Sequence, residues 1–449
     1  MKFISLLLLG LIAVTNAHAT CLNCNVILIS LDTVAAKHLS VYGAKGETTP
    51  FLKSWAKKSR LYSNAYTVSP WTLPSHAAML TGIYPWNLGV FSPEDTLKPK
   101  ATTLAELLKG AGYKTAAFTG GLYVSQKYGF NQGFDSFQVI GTKDSSEKNF
   151  NTNIDLSLKW IHKNKAKPFF LFMHTFDAHA PYMPSKESLK ALGGSGNEPV
   201  VRTEYLVMES KRPKLDENVV KQARLAYQAG LLDVDKKLNI FFSELQKKGL
   251  DQNTIIILTS DHGEELGEHN SVGMHGFQLY DEVLKVPLIV YEPNKPAAVI
   301  SSPASIVDIV PTVMSLLNRK NKVKFDGIVL PEIEAKSGLQ RTVLASTNYI
   351  KDHLIKVFDA GMAQILAQAK GESAPKNSVA SITKQIQLVH FYSAINNDLK
   401  IIIDLDQTTL TAYDKKTDPT EMKPLANYCQ NSLCKMQLEL FTKSRTLSK

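Results

Sequence analysis

The stretch Ser69-Pro-Trp-Thr-Leu-Pro-Ser-His-Ala-Ala-Met-Leu-Thr-Gly82 sets one hydroxyl, Thr72, just before Leu73-Pro74 and follows it with Ser75, His76 and a run of small residues ending at Gly82. It reads as a loop feeding a short helix. A helix N-terminus turns unpaired backbone N–H groups outward, so a nucleophile placed there can meet a phosphate or sulfate. Alone, the pattern is ordinary capping chemistry. Its meaning depends on what the rest of the chain brings to it.

Toward the N-terminus, Asn25 to Leu31 is an apolar run rich in Val and Ile, bounded by a cysteine and by Asp32-Thr33, and reads as a buried parallel strand. Asp32 then falls at the carboxyl end of a central strand, where open α/β sheets place their ligands. Lys37-His-Leu-Ser-Val-Tyr-Gly43 follows, and Thr49-Pro50 reads as the cap of a helix through Ser59. Toward the C-terminus, Thr103 to Gly112 is an amphipathic helix, and Tyr113 to Phe118 and Pro168 to His174 are strands. The latter runs into Thr175-Phe-Asp177-Ala-His179-Ala-Pro181-Tyr182. Residues 185 to 217 are polar and read as a surface insertion or lid. A long helix from Asn218 to Lys248 places Leu225, Leu232 and Leu238 on a core stripe. Thr254 to Leu258 is the strongest strand, and it ends in Thr259-Ser-Asp261-His262-Gly263-Glu264-Glu265, then Gly267-Glu-His269 and His275-Gly276. A plain strand, turn and helix has no need of three histidines among the carboxylates between Asp261 and His275.

In order and spacing these segments resemble the sulfatase family of the alkaline phosphatase superfamily. Thr72-Leu-Pro-Ser-His76 and Leu80-Thr-Gly82 resemble a signature built on Cys/Ser-x-Pro-Ser-Arg and closing in Leu-Thr-Gly, with Thr72 at the nucleophile and His76 at the arginine. Asp261-His-Gly-Glu264, His275-Gly276, and Leu279-Tyr-Asp-Glu282 with Val286-Pro-Leu288 resemble the family's most specific motifs, and Asp308-Ile-Val-Pro-Thr312 its Asp-x-x-Pro-Thr. The 175 to 182 segment is similar to His-x-x-Asp-Pro-His-x-Pro-Tyr, whose second histidine, here His179, contacts the substrate oxyanion. Gly133-Phe-Asp-Ser-Phe137 resembles a recurrent turn. Two departures stand out: Ala35 occupies an arginine position, and Thr119-Gly-Gly-Leu-Tyr123 replaces a Gly-Lys-Trp-His segment that contacts sulfate. From Arg341 the pattern changes to short alternating segments, Gln385 to His390, Lys400 to Asp404 and Thr409 to Tyr413, which read as a small antiparallel sheet. Leu410-Thr-Ala-Tyr-Asp414 and Asp418-Pro-x-Glu421 resemble the family's C-terminal subdomain.

The resemblance implies an alkaline phosphatase-like α/β fold, with a mostly parallel central sheet flanked by helices and a small C-terminal antiparallel α+β subdomain. It implies one divalent metal ion rather than two, at Asp32, Thr72, Asp261 and His262. Thr72 becomes the nucleophile, with His179 and His275 for substrate contact and acid-base work. A second metal at Asp177, His179 and His275, as in two-metal relatives, is the alternative; His76 and His269 are supporting groups. Main-class sulfatases need Cys or Ser at the nucleophile because it is oxidised to formylglycine. Thr72 has no such hydrate to offer, so the fold points to sulfatase and the nucleophile leans to phosphorus.

The 449 residues suit two or three ordinary domains, or one large α/β domain with an appendage, here divided at 20–340 and 341–449. With 44% hydrophobic and 20% charged residues the composition is that of a globular protein with a sizeable core. The formal charge of +10 is spread along the chain and favours anionic substrates, while no aromatic-interleaved basic patch argues for nucleic acid. Met1-Lys2, the apolar run Phe3 to Val14 and Ala17-His-Ala19 read as a leader, residues 1–19, removed in the periplasm or outside the cell, and no other run suits a membrane anchor. Cys21, Cys24, Cys429 and Cys434 suggest two disulfides, with three pairings open. The reading is a secreted ester hydrolase acting on a small-molecule or glycan ester. Its alternatives are a phosphoethanolamine- or phosphoglycerol-type transferase on envelope glycans and a catalytically silent binding protein for anionic glycans.

Overall fold

The computed structural model describes residues 21 to 425, apart from 22, 122, 142–148, 332, 334–340, 349–390 and 405–408. The leader, Cys429, Cys434 and the expected 385–390 strand lie outside these residues. An eight-stranded sheet forms the centre, in the order Ala298–Ile300, Arg60–Tyr62, Leu288–Tyr291, Thr254–Ser260, Asn25–Leu31, Phe169–Thr175, Lys114–Gly120 and Ser136–Ile140. Only Leu288–Tyr291 runs against its neighbours. The three central strands are the continuous apolar runs expected of strands buried on both faces.

Alternation within these strands divides the core in two. Val26, Leu28, Phe170, Phe172, Ile255 and Ile257 face one layer, which holds the Thr72–Thr81, Leu104–Gly110 and Ile309–Leu316 helices. Ile27, Ile29, Leu171, Met173, Ile256 and Leu258 face the other, built from the Phe150–Asn164 and Glu217–Lys247 helices. Leu238 of the expected stripe is buried there; Leu232 is also buried and Leu225 half-buried.

The register decides where chemistry can collect. Leu31 lies level with Thr175 on one side and Ser260 on the other. The loops that begin at Asp32, Phe176 and Asp261 therefore leave the sheet side by side at the carboxyl ends of its central strands.

A four-stranded antiparallel sheet, Val343–Thr347, Phe391–Ile395, Leu399–Asp404 and Thr409–Asp414, forms the C-terminal part. It docks through Ser346 N–H to Val68 O at 2.9 Å, and its buried Lys400 reaches Asp281 and Glu421. Among the described residues no helix is long and apolar enough to cross a membrane.

Two local readings differ from the sequence expectation. The 185–217 segment contains helices Lys186–Ala191 and Thr203–Ser210; Leu206 and Val207 of the second are buried, Leu206 against Gly273 of the separate Glu265–Leu266/Val272–Met274 hairpin. Thr49 does not cap the Pro50–Trp55 helix; its Oγ1 accepts from Ser40 N–H instead. The cap comes from Asp235, whose carboxylate accepts from Phe51 N–H at 2.8 Å and Leu52 N–H at 2.9 Å. Asp235→Ala strands both donors and is expected to cost about 2 kcal/mol in denaturant unfolding.

Candidate active site

Asp32 and Asp261 follow adjacent strands directly, and His262 follows Asp261; all three are fully buried. One ligand atom from each lies within 4.8 Å of the others. Thr33, a β-branched residue at φ 59°, turns the chain so that its N–H donates to Asp261 Oδ1 at 3.3 Å. His262 Nδ1 donates to Gly263 O at 2.9 Å, which leaves the Nε2 lone pair turned toward Asp261 Oδ2 at 3.3 Å.

The Thr72–Thr81 helix brings the fourth group. Thr72 is its first residue, only 7% exposed, and its Oγ1 lies 3.3 Å from His262 Nε2. One turn on, His76 donates Nδ1–H to Thr72 O at 2.9 Å, and the same nitrogen stands 3.5 Å from Asp261 Oδ2. Ser30 holds the other face of that ring, Oγ to Nε2, at 3.0 Å.

His174 was not singled out in the sequence. Its Nε2 meets Asp32 Oδ2 at 3.1 Å, and its ring lies edge-on to His76 at 4.7 Å. Each carboxylate is thus backed by a buried imidazole. Burial keeps both rings neutral, pushing His174 down to about 3 and His76 well below its usual value, the latter with help from His174. His174 closes an apolar strand and its partner is far away in sequence, so no local signal marks it.

Two further histidines approach from the other side. His275 and His262 have ring centroids 4.5 Å apart, and His275 and His179 5.2 Å. His275 Nδ1 bonds Glu264 Oε1 at 2.7 Å, and Tyr182 donates to Glu264 Oε2 at 3.0 Å. Burial alone lowers the basicity of His275, but Glu264, Asp32 and Asp261 outweigh it and raise its pKa. His179 is half-buried, stacks on Phe176 at 4.0 Å and donates Nδ1–H to Ala180 O.

Asp177 is engaged elsewhere: it pairs with Lys237 Nζ at 2.6 Å and accepts from Phe150 N–H at 3.2 Å. His269 stands apart, stacked on Tyr280 at 3.5 Å. Ala35, at the arginine position, is fully buried; its N–H donates to Tyr227 OH, and a Cβ built on Gly263 would come within 2.9 Å of its own.

The donor set fits a divalent cation. Burial and the facing Asp32 carboxylate drive the Asp261 pKa well above the usual carboxylate range, and Asp261 Oδ2 accepts no hydrogen bond. A cation relieves that like-charge pair. Two carboxylates, an imidazole and a hydroxyl are hard-to-borderline ligands suited to it.

A family model described as Sulfatase matches residues 24–319. Mouse arylsulfatase K is 26% identical over 337 residues, covering 65% of this chain and 60% of its own. The ulvan-active sulfatase of Formosa agariphila is 23% identical over 339 residues, covering 69% and 64%. The chain thus spans about three fifths of the length of the curated relatives it matches. Among solved structures, the phosphonate monoester hydrolase of Agrobacterium radiobacter superposes with a TM-score of 0.70 at 16% identity, over 95% of this chain and 96% of that one. A protein solved with its substrate D-glucosamine-2-N,6-O-disulfate gives 0.70 at 18% identity, over 95% and 98%. These structures share the fold, and the family model covers the sheet, the Thr72 helix and the Asp261-His262 loop together. The chain belongs to the sulfatase family.

Proposed function

We propose that the protein is a secreted, metal-dependent ester hydrolase that takes a phosphate, phosphonate or sulfate ester through a covalent intermediate on Thr72. The observation that carries this reading is the Thr72 hydroxyl at a helix start, 3.3 Å from His262 Nε2 and beside the buried Asp32–Asp261 pair. A cation held by Asp32, Asp261, His262 and Thr72 supplies the Lewis acidity that lowers the pKa of a threonine hydroxyl, which is otherwise far too weak an acid to attack at neutral pH.

Thr72 enters the reaction deprotonated. Its Oγ1 forms a bond to phosphorus or sulfur as the bond to the leaving oxygen breaks, and the departing alcohol takes a proton from His275. Water then attacks the phosphorus or sulfur as its bond to Thr72 Oγ1 breaks, giving a proton to the same ring and restoring deprotonated Thr72. Backbone N–H groups at the start of the helix favour the charge that develops on the transferred group. His179 contacts that group, and Glu264 fixes the orientation of His275.

Arylsulfatase K and the ulvan-active sulfatase support a sulfate ester. Thr72 itself leans to phosphorus, because a threonine ester has no hydrate route for expelling sulfate and must be cleared by water. The same reading places the protein in the periplasm or outside the cell after loss of residues 1–19, a location the Cys21–Cys24 disulfide supports. It assigns residues 20–340 to the catalytic domain and 341–449 to a C-terminal subdomain.

The test is turnover of matched aryl phosphate monoester, phosphodiester, phosphonate and sulfate substrates by the purified protein with divalent cations. At least one class is expected to turn over, to fall by about 100-fold or more with a chelator, and to recover when the cation is restored. No turnover of any class, with no cation retained, would contradict the reading.

A further inference from the structure

The chain leaves the Asn25–Leu31 strand through a strained residue. Thr33 is β-branched, yet its φ is 59°, a conformation that persists only where the surroundings impose it. Bonds within the site impose part of it. Thr33 Oγ1 donates to Asp32 O at 2.7 Å, and Val34 N–H donates to Ser260 Oγ at 2.9 Å. Ser260 Oγ in turn donates to His262 O at 2.6 Å. The same turn aims Thr33 N–H at Asp261 Oδ1, which also accepts from His262 N–H at 2.9 Å. Asp261 Oδ1 is thereby occupied, and Oδ2, which accepts no hydrogen bond, is the oxygen left for a cation.

The rest of the hold comes from Tyr227 on the Glu217–Lys247 helix, 194 residues away in sequence. Its hydroxyl donates to Thr33 O at 2.7 Å and accepts from Ala35 N–H at 3.2 Å, so a single oxygen spans the turn. The ring is fully buried and meets His38 and Tyr182 edge to face, at centroid distances of 5.2 Å and 5.6 Å, which fixes where the hydroxyl points. Burial pushes the phenol well above its usual range, so it keeps the proton it donates to Thr33 O. Ala35 brings no polar side chain of its own to the turn. Losing the Tyr227 hydroxyl strands the carbonyl of one fully buried residue and the N–H of another.

We infer that Tyr227 is a positioning residue for the cation pocket. Its hydroxyl holds Thr33 in the turn, the turn holds Thr33 N–H on Asp261 Oδ1, and Asp261 Oδ2 is thereby presented beside Asp32 and His262. The inference rests on the metal-dependent reading for its ligand and deepens it, by giving the long helix a part in cation binding. Tyr227 acts through Thr33 rather than by contact with the cation.

The experiment is calorimetric titration of the metal-free full-length protein with Mn²⁺ and with Ca²⁺, with thermal melts of the same samples before metal is added. Tyr227→Phe keeps the ring and removes the hydroxyl; it is expected to bind the cation about tenfold more weakly and to melt at a lower temperature. Thr33→Gly removes the strain, because glycine adopts positive φ freely. Tyr227→Phe added to Thr33→Gly is therefore expected to change affinity by less than about threefold and to cost less in melting temperature. Tyr42 supplies the control, since its hydroxyl also bridges backbone groups, accepting from Leu288 N–H and donating to Tyr62 O between two strands. Tyr42→Phe is expected to melt lower and to bind the cation as the wild type does. Unchanged affinity in Tyr227→Phe, an equal loss in Tyr42→Phe, or an undiminished loss in the Thr33→Gly background would overturn the inference. A wild type that takes up neither cation, while Thr33→Gly still softens the melting cost of Tyr227→Phe, would remove the metal-dependent reading and leave the tie on the turn standing. The absence of both effects would overturn both.

Discussion

Thr72→Ala is expected to lower kcat/KM by about 10⁴-fold or more, roughly 5.5 kcal/mol of transition-state stabilisation, for whichever ester class the protein turns over. The size follows from the role. Removing Oγ1 removes the atom that forms the new bond, and neither His262 nor His76 can replace it, because both rings are buried and committed to carbonyl oxygens through Nδ1. The fold is expected to survive, since Trp71 rather than Thr72 is the N-cap and, among the described residues, the Thr72 side chain hydrogen-bonds His262 alone. Thr72→Ser keeps the oxygen at the helix start and is expected to retain activity within about tenfold. Comparing the two variants in one assay, with melting curves alongside, separates loss of the nucleophile from loss of structure. Equal activity in Thr72→Ala and the wild type would remove Thr72 from the reaction.

The largest expected effect on stability lies outside the active site. Lys400 is fully buried, and its Nζ donates to Asp281 Oδ1 at 2.9 Å and to Glu421 Oε2 at 3.0 Å. Burial would lower the basicity of Lys400, but Asp281 and Glu421 outweigh it and hold it charged. Asp281 stays well below the usual carboxylate range through Lys400 and Lys415, despite burial, whereas burial and Asp281 push Glu421 up. Lys400→Met leaves the buried Glu421 carboxyl without its ion pair and leaves Asp281 to Lys415 at 2.8 Å. The expected cost is about 3–5 kcal/mol, read as a lower denaturant midpoint. Adding Glu421→Gln to Lys400→Met is expected to restore part of it, because it removes the stranded charge. A Lys400→Met protein as stable as the wild type would show that the C-terminal sheet is not fastened through this cluster.

The sheet and the central part of the site were legible because their signals are local. An unbroken apolar run ending in a polar residue needs no distant partner to be read, and Asp32, Asp261 and His262 all stand at such ends. Level strand ends then bring them together without further information. What escaped depends on contacts between remote segments. His174 ends an equally apolar strand but acquires its role only from Asp32. Thr49-Pro50 carries a sound capping pattern, yet Asp235 does the capping from the far helix. Lys400 sits in an alternating strand that gives no hint of burial, because Asp281 and Glu421 neutralise it from elsewhere. The Thr203–Ser210 helix hides its apolar face within a polar stretch, where Leu206 and Val207 are few but well placed.

The covalent ester on Thr72 is the central claim, and trapping it is the most direct test. Wild-type protein is mixed with the best of the aryl ester substrates, quenched in acid during turnover, and digested for peptide mass mapping. The expected result is one phosphoryl, phosphonyl or sulfuryl group on the peptide bearing Thr72, absent from Thr72→Ala and lost on a chase without substrate. A burst of released phenol with the adduct on another residue, or full turnover by Thr72→Ala, would contradict the account.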